Sequence, residues 1–275
     1  KDTVYDVRKT IDAQAGRFIN QTYGIVSAGG QGVRLRPRTI ELPKPLIEVG
    51  LQKQPLMYWS MLPMILGGVS HFIVGVRYGA EKIRSKFGEG GGLSNRFGRE
   101  ITIDYVEEPE PLGRAGFIRY GIQQGVIPID NPAILFNASD ILKVNLRDLV
   151  RHFIWLNICH GFEVVQVYTS GFRVQYGIGK VDLSTLRVID FEEKPLRQDL
   201  ASTATYIIHG RLKDFLELKK MPSNPEDELV QRWIKEETLG AYIMPHQDLI
   251  SIKYEKDLDT VEEIDLESHI RSKYI

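Results

Sequence analysis

Gly24-Ile25-Val26-Ser27-Ala28-Gly29-Gly30-Gln31-Gly32-Val33-Arg34-Leu35-Arg36-Pro37 is the stretch that decides the fold of this chain. An apolar, β-prone run ends in small residues, so a strand feeds a turn whose backbone can approach a ligand with no Cβ in the way. Exposed N–H groups in such a turn cradle an anion, and Arg34 adds a full positive charge. Pro43-Lys44-Pro45-Leu46 closes the stretch and brings a second cation. A triphosphate is the expected guest. The spacing matches neither the dinucleotide fingerprint G-x-G-x-x-G nor the Walker loop G-x-x-x-x-G-K-[ST].

Outward from this loop, G-x-G-x-R-L-x-P followed by P-K-P-L resembles the signature of the sugar-phosphate nucleotidyltransferases, mannose- and heptose-1-phosphate guanylyltransferases among them. These enzymes make NDP-sugars from an NTP and a sugar 1-phosphate. About ten specified positions are met in one short window, each met by chance roughly one time in twenty, so coincidence is a poor explanation. The resemblance covers roughly residues 22 to 266. It implies a Rossmann-like, three-layer α/β fold of the GT-A type with a mostly parallel mixed sheet. On this reading residues 1–21 form an N-terminal helix or linker, with a capping box at Thr3 and Asp6, and residues 22–275 form a single domain. Its nucleotide half is 22–160 and its sugar-phosphate half 161–275.

Composition agrees with an intracellular globular protein. The 275 residues are 43% hydrophobic and 26% charged, enough to bury a large core, and the formal net charge of −1 draws the chain to neither nucleic acid nor membrane. No apolar stretch approaches the roughly 18 residues of a bilayer span, and the start does not resemble a signal peptide, so a soluble, cytoplasmic protein is expected. A homo-oligomer is compatible with this composition. A first residue Lys1 in place of Met suggests a processed chain or a piece of a longer one. The single Cys159, in an apolar helical run, reads as a buried free thiol.

Elements follow from periodicity and punctuation. Gln54-Pro55 opens a helical run that ends at Gly67-Gly68. Phe72–Val76 is a buried strand, Ala80–Phe87 a helix, and Gly88–Gly92 a flexible surface loop. Further strands are expected at Ile101–Val106, Pro132–Phe136 and Val164–Thr169, the last two side by side, with an amphipathic helix from Leu146 between them.

The next segment, Glu108-Pro109-Glu110-Pro111-Leu112-Gly113-Arg114-Ala115-Gly116, is a tight turn at the mouth of a helix. It resembles the P-L-G-T-A-G segment with which the family holds the base, with Arg114 in place of Thr. The resemblance makes Ala28, Gly29, Gly30, Gly32, Glu108 and Gly113 nucleotide-binding residues. Guanine offers two adjacent donors, N1–H and N2–H₂, which suit a carboxylate, whereas a uracil or thymine edge suits an amide. Glu108 thus points to GTP; a solvated acidic loop of Glu107, Glu108 and Glu110 is the other reading.

Asp140 follows a short apolar strand, at the sheet edge where α/β ligands gather. By the resemblance it and Asp257, with Asp259 as alternate, hold the catalytic Mg²⁺. Thr260 with Glu263 reads as a capping box that sets both aspartates just ahead of a helix. Gln175–Val181 and Val188–Pro195 resemble the family's Y-G-V-V and E-E-K-P hairpin, which makes Gly177, Glu193 and Lys194 sugar-phosphate ligands. Ser202–Ile208 stands where the family has N-x-G-I-Y, and Glu226-Asp227-Glu228 supplies either the sugar-binding acid or a helix start.

The implied activity is transfer of a nucleotidyl group from an NTP to a sugar 1-phosphate, with release of pyrophosphate. Arg34 screens the triphosphate, Lys44 the α-phosphate and Lys194 the sugar phosphate. The alternatives are a non-catalytic, nucleotidyltransferase-like regulatory subunit and a relative that uses another NTP or a non-sugar acceptor. A nicotinamide-dependent Rossmann enzyme is set aside, because the second strand is followed by Arg77 with no acid to hold ribose.

Overall fold

The computed structural model describes residues 2–274, and for residues 2–7 the backbone alone. The Thr3–Asp6 capping box therefore lies outside the described side chains. In chain order the strands that matter are β1 (Tyr23–Ser27), β2 (His71–Val76), β3 (Thr102–Glu107), β4 (Ala133–Asn137), β5 (Asp140–Leu142), β6 (Val164–Thr169), β7 (Ile178–Asp182), β8 (Arg187–Glu192), β9 (Ala201–Ile208), β10 (Leu239–Met244) and β11 (Leu249–Ser251). The helices are α1 (Asp2–Gln21), α2 (Leu56–Gly67), α3 (Ala80–Phe87), α4 (Gly91–Phe97), α5 (Gly113–Gln123), α6 (Leu146–His160), α7 (Leu229–Lys235), α8 (Glu255–Asp259) and α9 (Leu266–Arg271).

Seven strands form one sheet in the order β10-β6-β9-β4-β1-β2-β3. β1, β2, β3 and β4 run parallel, as do β6 and β10, while β9 runs antiparallel to both its neighbours. The strands are near-continuous apolar runs because both faces are covered. Val26, Val74 and Phe136 face one buried cluster with the helices α1, α2 and α6. Ile25, Ile73 and Leu135 face the other with α5 and α7. This is the expected three-layer, mostly parallel α/β fold.

Four local expectations are corrected. β9 inserts between β4 and β6, pairing Tyr206 with Leu135 on one side and with Gln166 on the other, so those two strands are not neighbours. Gly88–Gly92 is no simple loop: Gly88 and Gly90 have positive φ at the ends of two helices, and Gly91 and Gly92 begin α4. Cys159 is exposed, as are its neighbours Ile158 and His160 at the end of α6. Thr260 does not start a helix; it is the C-cap of α8, which contains both Asp257 and Asp259.

Helix α1 is part of the packed body: Ala15 and Ile19 are buried in the larger core cluster, and the Phe18 ring lies 5.0 Å from that of Phe153 on α6. Among the described residues no helix is long and apolar enough to cross a membrane.

Candidate active site

The register that aligns Ser27 with Gly75 and Asn137 brings the carboxyl ends of β1, β2 and β4 to one level. There a cavity of about 500 Å³ opens, lined by the loop from Ser27 to Leu35, by Lys44, Arg77, Glu108, Pro111, Gly113, Arg114 and Asn137 to Asp140, and by Asn224 and Lys253. Ligands of open α/β sheets collect at this edge. The loop is pinned at its root by the Ala28 N–H, which donates to Gly75 O at 2.9 Å, and at its far end by the Thr39 hydroxyl, which donates to Gly32 O at 2.9 Å.

Between these anchors the N–H groups of Gly29, Gly30, Gln31 and Gly32 find no acceptor among the described residues. Gly30 and Gln31 are exposed and Gly29 and Gly32 half-buried, so these donors are open to an acceptor from solution, and a row of such N–H groups suits an anion. Two glycines are demanded by geometry. Gly32 has φ +62°, and a Cβ on Gly29 would lie 2.4 Å from Glu108 Oε1. Glu108 thereby closes over the loop; its Oε2 accepts from the Leu112 N–H at 3.0 Å, and Oε1 lies against Gly29 with no hydrogen-bond partner among the described residues. Burial pushes the Glu108 carboxyl up from its usual range, against the pull of the Leu112 N–H and Arg77.

Lys44 is half-buried beside Gly32, whose Cβ would lie 3.1 Å from that of Lys44, and burial lowers its pKa; Asp140 and Asp257 oppose that shift, while Arg34 and Lys253 add to it. Arg34 is exposed at the rim with its guanidinium 5.7 Å from the Tyr254 ring. Ala28, Gly29, Gly30, Gly32, Arg34, Lys44, Glu108, Gly113 and Asp140 therefore meet in one cavity.

Of the two expected metal ligands Asp140 lines the cavity and Asp257 does not, although both act electrostatically on Lys44. Asp140 is buried, 9% exposed, and its two oxygens accept from Asn137 Nδ2 at 2.8 Å and from Ser251 Oγ at 2.5 Å. Asp257 does not line the cavity; its Oδ2 accepts from the backbone N–H groups of Lys253 and Tyr254 at 2.8 and 2.7 Å, a cap on α8. Among the described residues no three or more His, Cys, Asp or Glu side chains are grouped to hold a metal. Mg²⁺ takes one or two carboxylates beside phosphate and water oxygens; Asp140 lines the cavity with both oxygens engaged, and Asp257 outside the lining has Oδ2 committed to its cap.

The sugar-phosphate trio is assembled, but outside the cavity. On the β7–β8 hairpin a Cβ on Gly177 would lie 2.9 Å from Glu193 Oε2, and Lys194 Nζ is 3.3 Å from Glu193 Oε1. All of β8 is exposed, and the hairpin root is tied to α8 by Lys256 Nζ, which donates to Gln175 Oε1 at 2.6 Å. The Glu226–Glu228 segment does lead into a helix, with Glu228 at the N-cap of α7, while Glu226 turns to the cavity side. It accepts from the Tyr206 hydroxyl at 2.6 Å and pairs with Arg114 at 2.5 Å, which holds the Arg114 guanidinium on the cavity wall.

Arg77, Arg114, Asn224 and Lys253 line the cavity without having been assigned to it from sequence. For Arg77 a signal existed, a cation directly after a strand at the ligand edge. Asn224 and Lys253 arrive from distant loops, and nothing local announces them.

The family model described as nucleotidyl transferase matches residues 23–247. A mannose-1-phosphate guanyltransferase of Pichia angusta is 27% identical over 229 residues, 81% of this chain and 58% of that protein. The Saccharomyces cerevisiae mannose-1-phosphate guanyltransferase is 28% identical over 224 residues, covering 80% and 58%. The chain thus spans less than two thirds of the length of these relatives. In fold it is similar to a Bacillus anthracis protein described as a glucose-1-phosphate thymidylyltransferase, with a TM-score of 0.66 at 17% identity over 87% of this chain and 93% of that one. HddC from Yersinia pseudotuberculosis, crystallised with GMP-PN, gives 0.57 at 20% identity over 87% and 97%. With its glycine loop, sheet order and cavity in the same stretch that the family model covers, the chain belongs to the nucleotidyl transferase family.

Proposed function

We propose that the cavity binds a nucleoside triphosphate, GTP first, and that the protein transfers its nucleotidyl group to a sugar 1-phosphate. The observation that carries this reading is the run of four unengaged N–H groups in the glycine loop, with Lys44 beside Gly32 in the same cavity. The mannose-1-phosphate guanyltransferases among the relatives support mannose 1-phosphate as the first acceptor to try.

A phosphate oxygen of the acceptor attacks the α-phosphorus in line, one P–O bond forms, and the α–β bond breaks to release pyrophosphate. No covalent nucleophile is needed; positioning and charge neutralisation carry the rate. Lys44 acts at the α-phosphate, Arg34 at the leaving pyrophosphate, and Lys194, with Glu193 and Gly177, holds the acceptor from the hairpin. Glu108 Oε1 accepts from the guanine N1–H and N2–H₂ edge. Mg²⁺ is assigned no step; the carboxylates that line the cavity are Asp140 and Glu108, and Glu108 is committed to Leu112.

Pyrophosphate release from GTP and mannose 1-phosphate is the test, and Lys44→Ala is expected to lower the rate at least a hundredfold, about 3 kcal/mol. A Lys44→Ala rate within tenfold of the parent rejects the site. A second reading is a regulatory subunit that binds nucleotide without turnover; NTP binding with no pyrophosphate from any sugar 1-phosphate marks that case.

A further inference from the structure

Charge in the cavity is distributed in a way that a two-carboxylate metal site does not explain. Five lining side chains are cationic, Arg34, Lys44, Arg77, Arg114 and Lys253, against the two carboxylates Glu108 and Asp140. Glu108 packs over Gly29 and is tied to Leu112, so the carboxylates acting on Lys44 are Asp140, on the cavity wall, and Asp257, outside the lining. Both Asp140 oxygens already accept hydrogen bonds, from Asn137 and Ser251. The turn that Asp257 caps is the one that delivers Lys253: the carboxylate holds the Lys253 backbone N–H at 2.8 Å while the side chain lines the cavity.

Surface cations elsewhere pair with acids, as in Lys53–Glu262, Arg84–Glu107 and Arg96–Glu267. Among the described residues no ion pair or side-chain hydrogen bond engages the ammonium of Lys253 or of Lys44, although the two lie within electrostatic reach of each other. Two like charges held together beside a row of unengaged N–H groups are arranged to share one polyanion.

We propose that the Lys253 ammonium, beside Lys44, neutralises the polyphosphate of the bound nucleotide, so that the triphosphate binds as the free anion as tightly as it binds with Mg²⁺. This rests on the reading that the cavity takes an NTP. Lys253 is exposed and its side chain supports no other contact, so its removal leaves the fold intact.

The full chain, Lys253→Met and Asp140→Asn are titrated with GTP by calorimetry, once in excess EDTA and once in excess MgCl₂, with circular dichroism melts as the folding control. The parent is expected to show dissociation constants within about threefold in the two buffers, and Lys253→Met to weaken both by about tenfold or more. Asp140→Asn, which removes a repelling charge and keeps the shape, is expected to bind at least as tightly as the parent. A parent that binds GTP only with Mg²⁺, together with loss of that binding in Asp140→Asn, overturns the proposal and leaves the NTP reading standing. No binding of GTP, of other NTPs or of inorganic tripolyphosphate in either buffer overturns both.

Discussion

Lys44 and Glu108 have opposite electrostatic problems, and each gives a signed expectation. Burial lowers the Lys44 pKa, so in the interval between its folded and unfolded values the unfolded state binds more protons and stability rises with pH; below that interval the charged lysine costs stability. Lys44→Met should therefore raise the unfolding free energy at pH 7 by about 1 kcal/mol in a denaturant melt, while it abolishes nucleotide binding. Nucleotide affinity should fall at alkaline pH, starting below the ordinary lysine range, because phosphate needs the ammonium. Glu108 is shifted up by burial, so the folded state holds its proton more tightly and stability declines as pH rises through the interval between the ordinary and raised values. Guanine recognition needs the ionised form. GTP affinity should drop on acidification already above the usual carboxylate range, and Glu108→Gln should cut GTP-over-UTP discrimination by about tenfold, within the 1–3 kcal/mol of a lost paired contact. The glycine loop and these two side chains were legible in the sequence because their chemistry is local. Ala204 has a φ of +58°, an alanine held in a glycine conformation within the Ser202–Ile208 stretch. Ala204→Gly should stabilise the fold by about 0.5 kcal/mol in a thermal melt, the left-handed strain relieved less the entropy of a glycine.

At the scale of elements, strands and long helices were readable and their neighbours were not. Periodicity located β4 and β6, but the insertion of β9 between them is decided by pairing across more than thirty residues of chain, with Tyr206 bonded to both sides. The last site element, α8, shows the same limit. Two aspartates in a D-x-D-T run read as metal ligands, whereas Asp257 Oδ2 is spent on the N–H groups of Lys253 and Tyr254. A side chain that caps its own helix looks identical in sequence to one that binds a ligand. Asp257→Ala is accordingly expected to cost about 1 kcal/mol of stability, read in a thermal melt. A loss of affinity for Mg²⁺ in calorimetry, with stability unchanged, would speak for the metal role instead.

For the molecule as a whole, α1 is a structural member of the domain. Ile19 is 4% exposed in the core cluster that carries α6, and Ile19→Ala should destabilise by about 2–5 kcal/mol in denaturant unfolding. The formal net charge of −1 hides a cavity in which cations outnumber carboxylates, so attraction is focused on one site. The cavity gathers the nucleotide residues on a rigid sheet edge and leaves Gly177, Glu193 and Lys194 on an exposed hairpin tied to α8. The claim that joins these halves is that one site takes GTP and a sugar 1-phosphate together. Its most direct measurement is mass spectrometry of the products after the protein meets an equimolar mixture of the four NTPs with mannose 1-phosphate. The account predicts a GDP-sugar in large excess over other NDP-sugars, lost in Lys44→Ala and strongly reduced in Lys194→Ala; a UDP- or ADP-sugar as the main product, or a GDP-sugar formed equally well by both variants, contradicts it.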